Sequence, residues 1–221
     1  MEALPVSWHR LSPLPDDVFD PVSLTLLAIT DDLRDGRAGL VARAEAAVRG
    51  GATMVQLRLK DVDGRTLVEV ARALVAKLSV PVLVNDRADV ALAAGAAGVH
   101  LGADDLPPRA LRRVVPGGFV IGASVGCDAE LSQVEGADYV GIGPVFATTS
   151  KGDAGEAIGV AEFARLAALA GLPAVAIGGI TPENASSVLA AGASGVAVIR
   201  ALFGAADPSL AARSLRRATG T

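Results

Sequence analysis

The chain has 221 residues, 51% of them hydrophobic, which is ample for one compact domain with a large core and short for two. Its net charge of -4, with cations set singly among acids, offers no basic stripe and argues against a nucleic-acid partner. The one cysteine, Cys127, can form no disulfide within the chain and is read as a small core or loop residue.

Residues 1–21 hold Pro5, Pro13 and Pro15 among acids and lack the charged-then-apolar run of a secretory signal, so they are read as an extension ahead of a single domain at 22–221. The longest uncharged apolar stretch, Leu166 to Ile180, is interrupted by Gly171, Pro173 and the Gly178-Gly179 pair and is shorter than a membrane span needs. A soluble, cytoplasmic protein with no membrane partner is expected.

Along the chain one phrase recurs: GATMV at 51–55, GAAGV at 95–99, GADYV at 136–140 and GASGV at 192–196. Each follows an Ala-rich helical pattern. Glycine just past a helix is the common left-handed cap, and the residues after it open an apolar run, so these are helix-to-strand junctions. Between them lie LTLLAI (24–29), PVLV (81–84), FVIGA (119–123) and PAVAI (173–177), which brings the predicted strands to eight. Helical patterns fall at 39–49, 64–77, 86–94, 108–115, 128–135, 160–170, 182–191 and from about 208. Apolar strands alternating with helices imply a parallel sheet, and eight such units predict a closed (β/α)8 barrel. An open doubly wound sheet is the alternative.

In such barrels chemistry sits at the carboxyl ends of the strands, and here those ends are polar. They carry Thr30, Asp31 and Asp32; Gln56, Arg58 and Lys60; Asn85 and Asp86; His100, Asp104 and Asp105; Ser124; the loop GPVFATTSKGD; Gly178-Gly179; and Arg200. Period two sends Gln56, Arg58 and Lys60 to one side, towards the barrel axis. A structural ion pair to Asp31 or Asp86 would explain one of these cations. A whole ring of buried charge is better explained by a ligand that completes it.

Asp86 and Asp105 stand on neighbouring strand ends and could share a hard cation such as Mg2+, which takes oxygen ligands and bridges to phosphate. Asp86 could equally cap the next helix, and Asp104 leaves the choice of second ligand open. The loop ATTSKGDAG and the bare amides of GGI (178–180), leading to a helix near Pro182, are both phosphate-binding styles. Two anionic sites are therefore expected: a diphosphate with Mg2+ near the second to fourth strands, and a monophosphate near the sixth to eighth.

From about Leu26 to Phe203 the chain resembles the thiamine-phosphate synthase family, through AITDD (28–32), QLRLK (56–60), VNDR (84–87), GVHLGADDLP (98–107), GASVG (122–126), GADYVGIGPVFATTSK (136–151), AIGGITPENA (176–185) and GVAVIRAL (195–202). The resemblance implies a Mg2+-dependent transferase that joins an aminopyrimidine methyl diphosphate to a thiazole ethyl phosphate, giving thiamine phosphate and diphosphate. It implies that Gln56 and Ser124 contact the pyrimidine, that Arg58, Lys60, Asn85 and Lys151 hold its diphosphate, and that Asp86 and Asp105 bind the metal. Thr148, Thr149, Ser150, the Gly179 amide and the Ile199-Arg200 backbone would hold the thiazole phosphate. A homodimer is also implied. The chain departs from the family pattern at Ala103, Gly126, Ala147, Ser150 and Arg200. Rival readings are a thiazole tautomerase-like isomerase, which lacks the metal pair and has a histidine where Gly126 stands, and a non-catalytic phosphate-ligand barrel. His100 is read as a packed strand-end residue rather than an acid.

Overall fold

The computed structural model describes residues 19–148 and 155–220. Eight strands form a closed parallel barrel in chain order: β1 (Leu26–Ile29), β2 (Met54–Leu57), β3 (Val82–Asn85), β4 (Gly98–Leu101), β5 (Val120–Val125), β6 (Tyr139–Ile142), β7 (Ala174–Ile177) and β8 (Gly195–Val198). β8 closes on β1 with Leu26, Leu27 and Ala28 opposite Val196, Ala197 and Val198. The (β/α)8 expectation holds. Each recurring phrase starts its strand at the fourth residue, at Met54, Gly98, Tyr139 and Gly195. All four leading glycines, Gly51, Gly95, Gly136 and Gly192, have positive φ, which lets the chain reverse sharply from helix into strand.

Alternation along the strands makes two apolar layers. Leu27, Ile29, Met54, Leu83, Val120, Tyr139, Val175 and Ala197 fill the barrel interior. Their neighbours, such as Leu26, Val55, Leu57, Val99, Ile121 and Val140, face the helical jacket. The jacket comprises α1 (Gly36–Arg49), α2 (Gly64–Lys77), α3 (Ala88–Ala94), α4 (Pro108–Arg112), α5 (Gly159–Ala170), α6 (Ala185–Ala190), α7 (Arg200–Phe203) and α8 (Pro208–Ala218). Asp63 caps α2 through the Thr66 N–H, and Asp207 caps α8 through Ser209 and Leu210. Among the described residues no helix is long and apolar enough to cross a membrane.

Several sequence expectations shift. The pattern at 128–135 forms a 3-10 helix over Asp128–Gln133, and the helix expected near Pro182 starts at Ala185, after Asn184 has turned the loop back on itself. The short α7 after β8 had no helical signal of its own. Cys127 lies exposed in the loop after β5, the second of the two placements expected for it. At the floor, a 3-10 turn over Pro21–Leu24 leads into β1, and Phe19 stacks on Tyr139 with ring centroids 6.0 Å apart.

Candidate active site

The carboxyl ends of β4 to β8 border a cleft of about 1040 Å³, lined among others by Ser124, Glu130, Thr148, Gly178, Gly179 and Arg200. Beneath it a small cavity of about 20 Å³ is lined by Gln56, Arg58, His100, Ser124 and Tyr139, and Ser124 borders both spaces.

On β2 the period-two expectation holds for Gln56, which shares the axis side with Met54, and for Arg58, which follows the strand end and lines the same cavity. It does not extend to Lys60. The strand stops at Leu57, and Lys60 lies exposed in the bend beyond it. Thr30 at the end of β1 clamps this segment: its N–H donates to the Gln56 carbonyl, its hydroxyl donates to the Arg58 carbonyl, and Arg58 N–H donates back to that hydroxyl at 2.8 Å. The Arg58 guanidinium itself makes no hydrogen bond or ion pair among the described residues. Of the two acids offered as structural partners for these cations, Asp31 is taken by others. Asp31 is held by Arg34 and Arg43 of the following loop and helix, and the Arg34–Asp31 contact raises the guanidinium's affinity for its proton. The acids after β1 therefore brace α1 against the barrel.

Gln56 is buried, its Nε2 donating to Asn85 Oδ1 at 2.7 Å while its Oε1 is buried with no hydrogen-bond partner among the described residues. An orphaned buried acceptor is costly, about 1–3 kcal/mol, and becomes satisfied if a ligand brings a donor to it. Asp86, next in line, sits in the left-handed region at φ 63, and its N–H donates to the His100 carbonyl. It does not cap α3. The cap position is Arg87, which makes no side-chain capping bond. A non-glycine residue held at positive φ is a local strain of the kind that collects at functional sites. After β4, Asp105 folds back so that its Oδ2 accepts the Gly102 N–H at 2.7 Å, which turns that carboxylate into the loop while Asp104 stays exposed.

Across the mouth the described surface after β7 is backbone rather than side chain. Gly178 and Gly179 have φ of 96 and 64, and a Cβ on either would collide with Pro144 or with Phe146 and Ala147. Asn184 secures the turn by donating to the Gly179 carbonyl and accepting from Thr181 N–H. The Gly179 N–H makes no hydrogen bond among the described residues. Ile199 follows β8 as the N-cap of α7, and Arg200 is exposed at the edge of the cleft. Thr148 lines the cleft, whereas Thr149, Ser150 and Lys151 lie outside the described residues.

One set of contacts was not anticipated. His100 lies inside the barrel, its Nδ1 2.9 Å from Tyr139 Oη and its Nε2 3.0 Å from Ser124 Oγ. The register explains the meeting: Gly122 of β5 stands opposite both His100 of β4 and Tyr139 of β6, and a Cβ there would strike the tyrosine ring. Inward alternation of His100, Ser124 and Tyr139 was the available signal.

Fold and site together define a (β/α)8 barrel with a polar mouth assembled from many strand ends, the arrangement on which barrel enzymes build active sites. The model of a family described as "Thiamine monophosphate synthase" matches residues 26–202. A thiamine-phosphate synthase of Azorhizobium caulinodans is 48% identical over 201 residues, covering 89% of this chain and 95% of that protein. One from Methanoculleus marisnigri is 53% identical over 178 residues, covering 78% and 84%. Among solved structures, a thiamine phosphate pyrophosphorylase from Pyrococcus furiosus superposes with a TM-score of 0.79 at 36% identity, covering 90% of this chain and 97% of that one. The chain belongs to the thiamine monophosphate synthase family, and by that membership is a transferase of thiamine biosynthesis.

Proposed function

We propose that the protein condenses an aminopyrimidine methyl diphosphate with a thiazole ethyl phosphate, releasing diphosphate and forming thiamine phosphate in a Mg2+-dependent reaction. The observation that carries this reading is the buried Gln56 Oε1, which has no hydrogen-bond partner among the described residues, in a cavity that Arg58 also lines. An acceptor wanting a donor, in a cavity that also carries a cation, suits an exocyclic amine on a substrate that bears phosphate. Arg58, Lys60, Asn85 and Lys151 would hold the diphosphate, and Thr148, Thr149, Ser150, the Gly179 amide and the Ile199-Arg200 backbone the thiazole phosphate.

The donor set fits a magnesium ion. Asp86 and Asp105 would offer two hard oxygen donors from the ends of the neighbouring strands β3 and β4. Magnesium keeps waters and shares phosphate oxygens rather than requiring a full protein cage. When bound, it would neutralise charge developing on the departing diphosphate.

The chain's own residues bind and orient. Gln56 and Ser124 would fix the pyrimidine while Arg58 and its neighbours stabilise the leaving group. The bond from the methylene carbon to the diphosphate oxygen breaks with its electron pair leaving on oxygen. The thiazole nitrogen lone pair then forms the new carbon–nitrogen bond to the resulting cation. No proton is moved, so the step asks for no dedicated base. The decisive experiment mixes purified protein with the two phosphorylated halves, with and without Mg2+, and measures thiamine phosphate. No product under both conditions would refute the reading.

A further inference from the structure

Tyr139 is fully buried, and burial, aided by the nearby Asp138 charge, pushes its phenol well above the ordinary tyrosine value. It therefore carries its proton at neutral pH and must donate it. The His100 ring is its only hydrogen-bond partner among the described residues. If His100 carried its proton on Nδ1, that N–H and the phenol O–H would face one another and a buried donor would be lost. The unstrained assignment has Tyr139 O–H donating to Nδ1, which places the imidazole proton on Nε2. That N–H then donates to Ser124 Oγ. Ser124 has no other partner among the described residues, so its own O–H is left to turn into the space it borders.

We infer that Tyr139 and His100 are positioning residues that set the hydrogen-bond polarity of Ser124, fixing its hydroxyl as a donor to an acceptor atom of the bound ligand. The acceptor class this selects is a neutral heteroaromatic ring nitrogen with an in-plane lone pair. The inference rests on the reading of Ser124 as a pyrimidine contact. Gln56 lines the same cavity with its Oε1 open as an acceptor, so the pair would present one acceptor and one donor. An aminopyrimidine edge, with its N–H donor beside a ring nitrogen, is complementary to that pattern. The glycines at 122 and 141 make the relay possible, since a Cβ at 122 would strike Tyr139 and one at 141 would press on His100 at 3.1 Å.

Two measurements test this. The chain has only two histidines, His9 and His100, so a His9→Gln variant with 15N-labelled histidine reports His100 alone by NMR. Protonation on Nε2 with a bare Nδ1 is expected, shifting towards a tautomer mixture in Tyr139→Phe. An Nδ1–H tautomer in the parent, or an unchanged tautomer in Tyr139→Phe, overturns the inference. In the coupling assay Tyr139→Phe and Ser124→Ala should each raise KM for the pyrimidine diphosphate about three- to tenfold, the worth of one neutral hydrogen bond, leaving KM for the thiazole phosphate unchanged. The double variant should be no worse than Ser124→Ala alone, because the tyrosine acts through the serine. Additive losses, or equal losses for both substrates, would show a merely structural tyrosine and sink the inference. If the parent makes no thiamine phosphate, the proposed reaction fails while the NMR measurement still decides the relay.

Discussion

The two sides of the barrel mouth are built from different materials. On the β2 to β4 side the polar surface is side chain: Gln56, Arg58, Asn85, Asp86 and Asp105, each projected from a strand end or the loop after it. On the β7 to β8 side it is main chain, with Gly178 and Gly179 at positive φ and the turn at Ile199. A charged side chain can be removed without moving the backbone that carries it. A backbone cradle can be damaged only by adding an atom, because its function is the absence of a Cβ. The two halves should therefore fail in different ways and, under the proposed function, towards different substrates.

The largest effect is expected from Asp105→Asn on the side-chain half. The amide oxygen can still accept the Gly102 N–H, so the loop is retained while the charge is lost. Metal-dependent turnover should fall by about 10² to 10³, the usual cost of one preorganised electrostatic group. A titration of rate against Mg2+ with a parallel thermal melt checks it, and full activity at limiting Mg2+ would remove Asp105 from the metal site.

Next is Arg200→Ser, where a side chain intrudes on the backbone half. A charge-assisted contact to phosphate contributes about 1.5–3 kcal/mol, so KM for the thiazole phosphate should rise about ten- to a hundredfold. An unchanged, salt-insensitive KM would show that the guanidinium takes no part. Gly179→Ala should act on the same substrate by addition. Its Cβ would lie 2.7 Å from the Ala147 carbonyl oxygen, at a φ of 64 that alanine rarely adopts. A strain of about 1–2 kcal/mol, spread between fold and cradle, predicts a KM increase of several-fold for the thiazole phosphate and none for the pyrimidine diphosphate. Equal increases for both would mean that the halves are not separate.

The same difference decides what could be read from the chain alone. The barrel was legible because the glycine phrase repeats at four helix-to-strand junctions and the apolar runs between them complete the set of eight. On the side-chain half the residues announce their chemistry by type, so Gln56, Arg58, Asn85 and Asp86 stood out as polar strand ends, while the choice of Asp105 over Asp104 came only from the family resemblance. What could not be read was which cations are already engaged: Asp31 is claimed by Arg34 and Arg43, a contact that depends on how α1 docks. The backbone half is quieter, since glycine and proline mark a turn without saying what it holds. The Tyr139–His100–Ser124 contact was illegible for a further reason. Alternation could turn each of the three side chains inward, but their meeting needs the register across three strands and a glycine at 122 to admit the ring, which no local pattern carries.

The smallest effect sharpens the comparison most, because Asp86 is the one residue where the two modes meet. Its carboxylate belongs to the side-chain half, yet its backbone sits at φ 63, the conformation that glycine serves on the other side. Asp86→Ala and Asp86→Gly both delete the carboxylate, so they should lose metal-dependent turnover alike. They differ only in the backbone they prefer. Alanine must hold a left-handed conformation at a cost of about 1 kcal/mol, whereas glycine adopts it freely, offset in part by glycine's greater entropy when unfolded. For a domain of this length about 1 kcal/mol corresponds to roughly 2–4 °C in Tm. Asp86→Gly is therefore expected to melt up to a few degrees above Asp86→Ala with equal loss of activity, measured by paired thermal melts and coupling assays. Equal or reversed melting temperatures would mean that residue 86 is not held left-handed in solution. The expected order would show a position kept as aspartate at a cost to the fold, as a metal ligand at a strained turn requires.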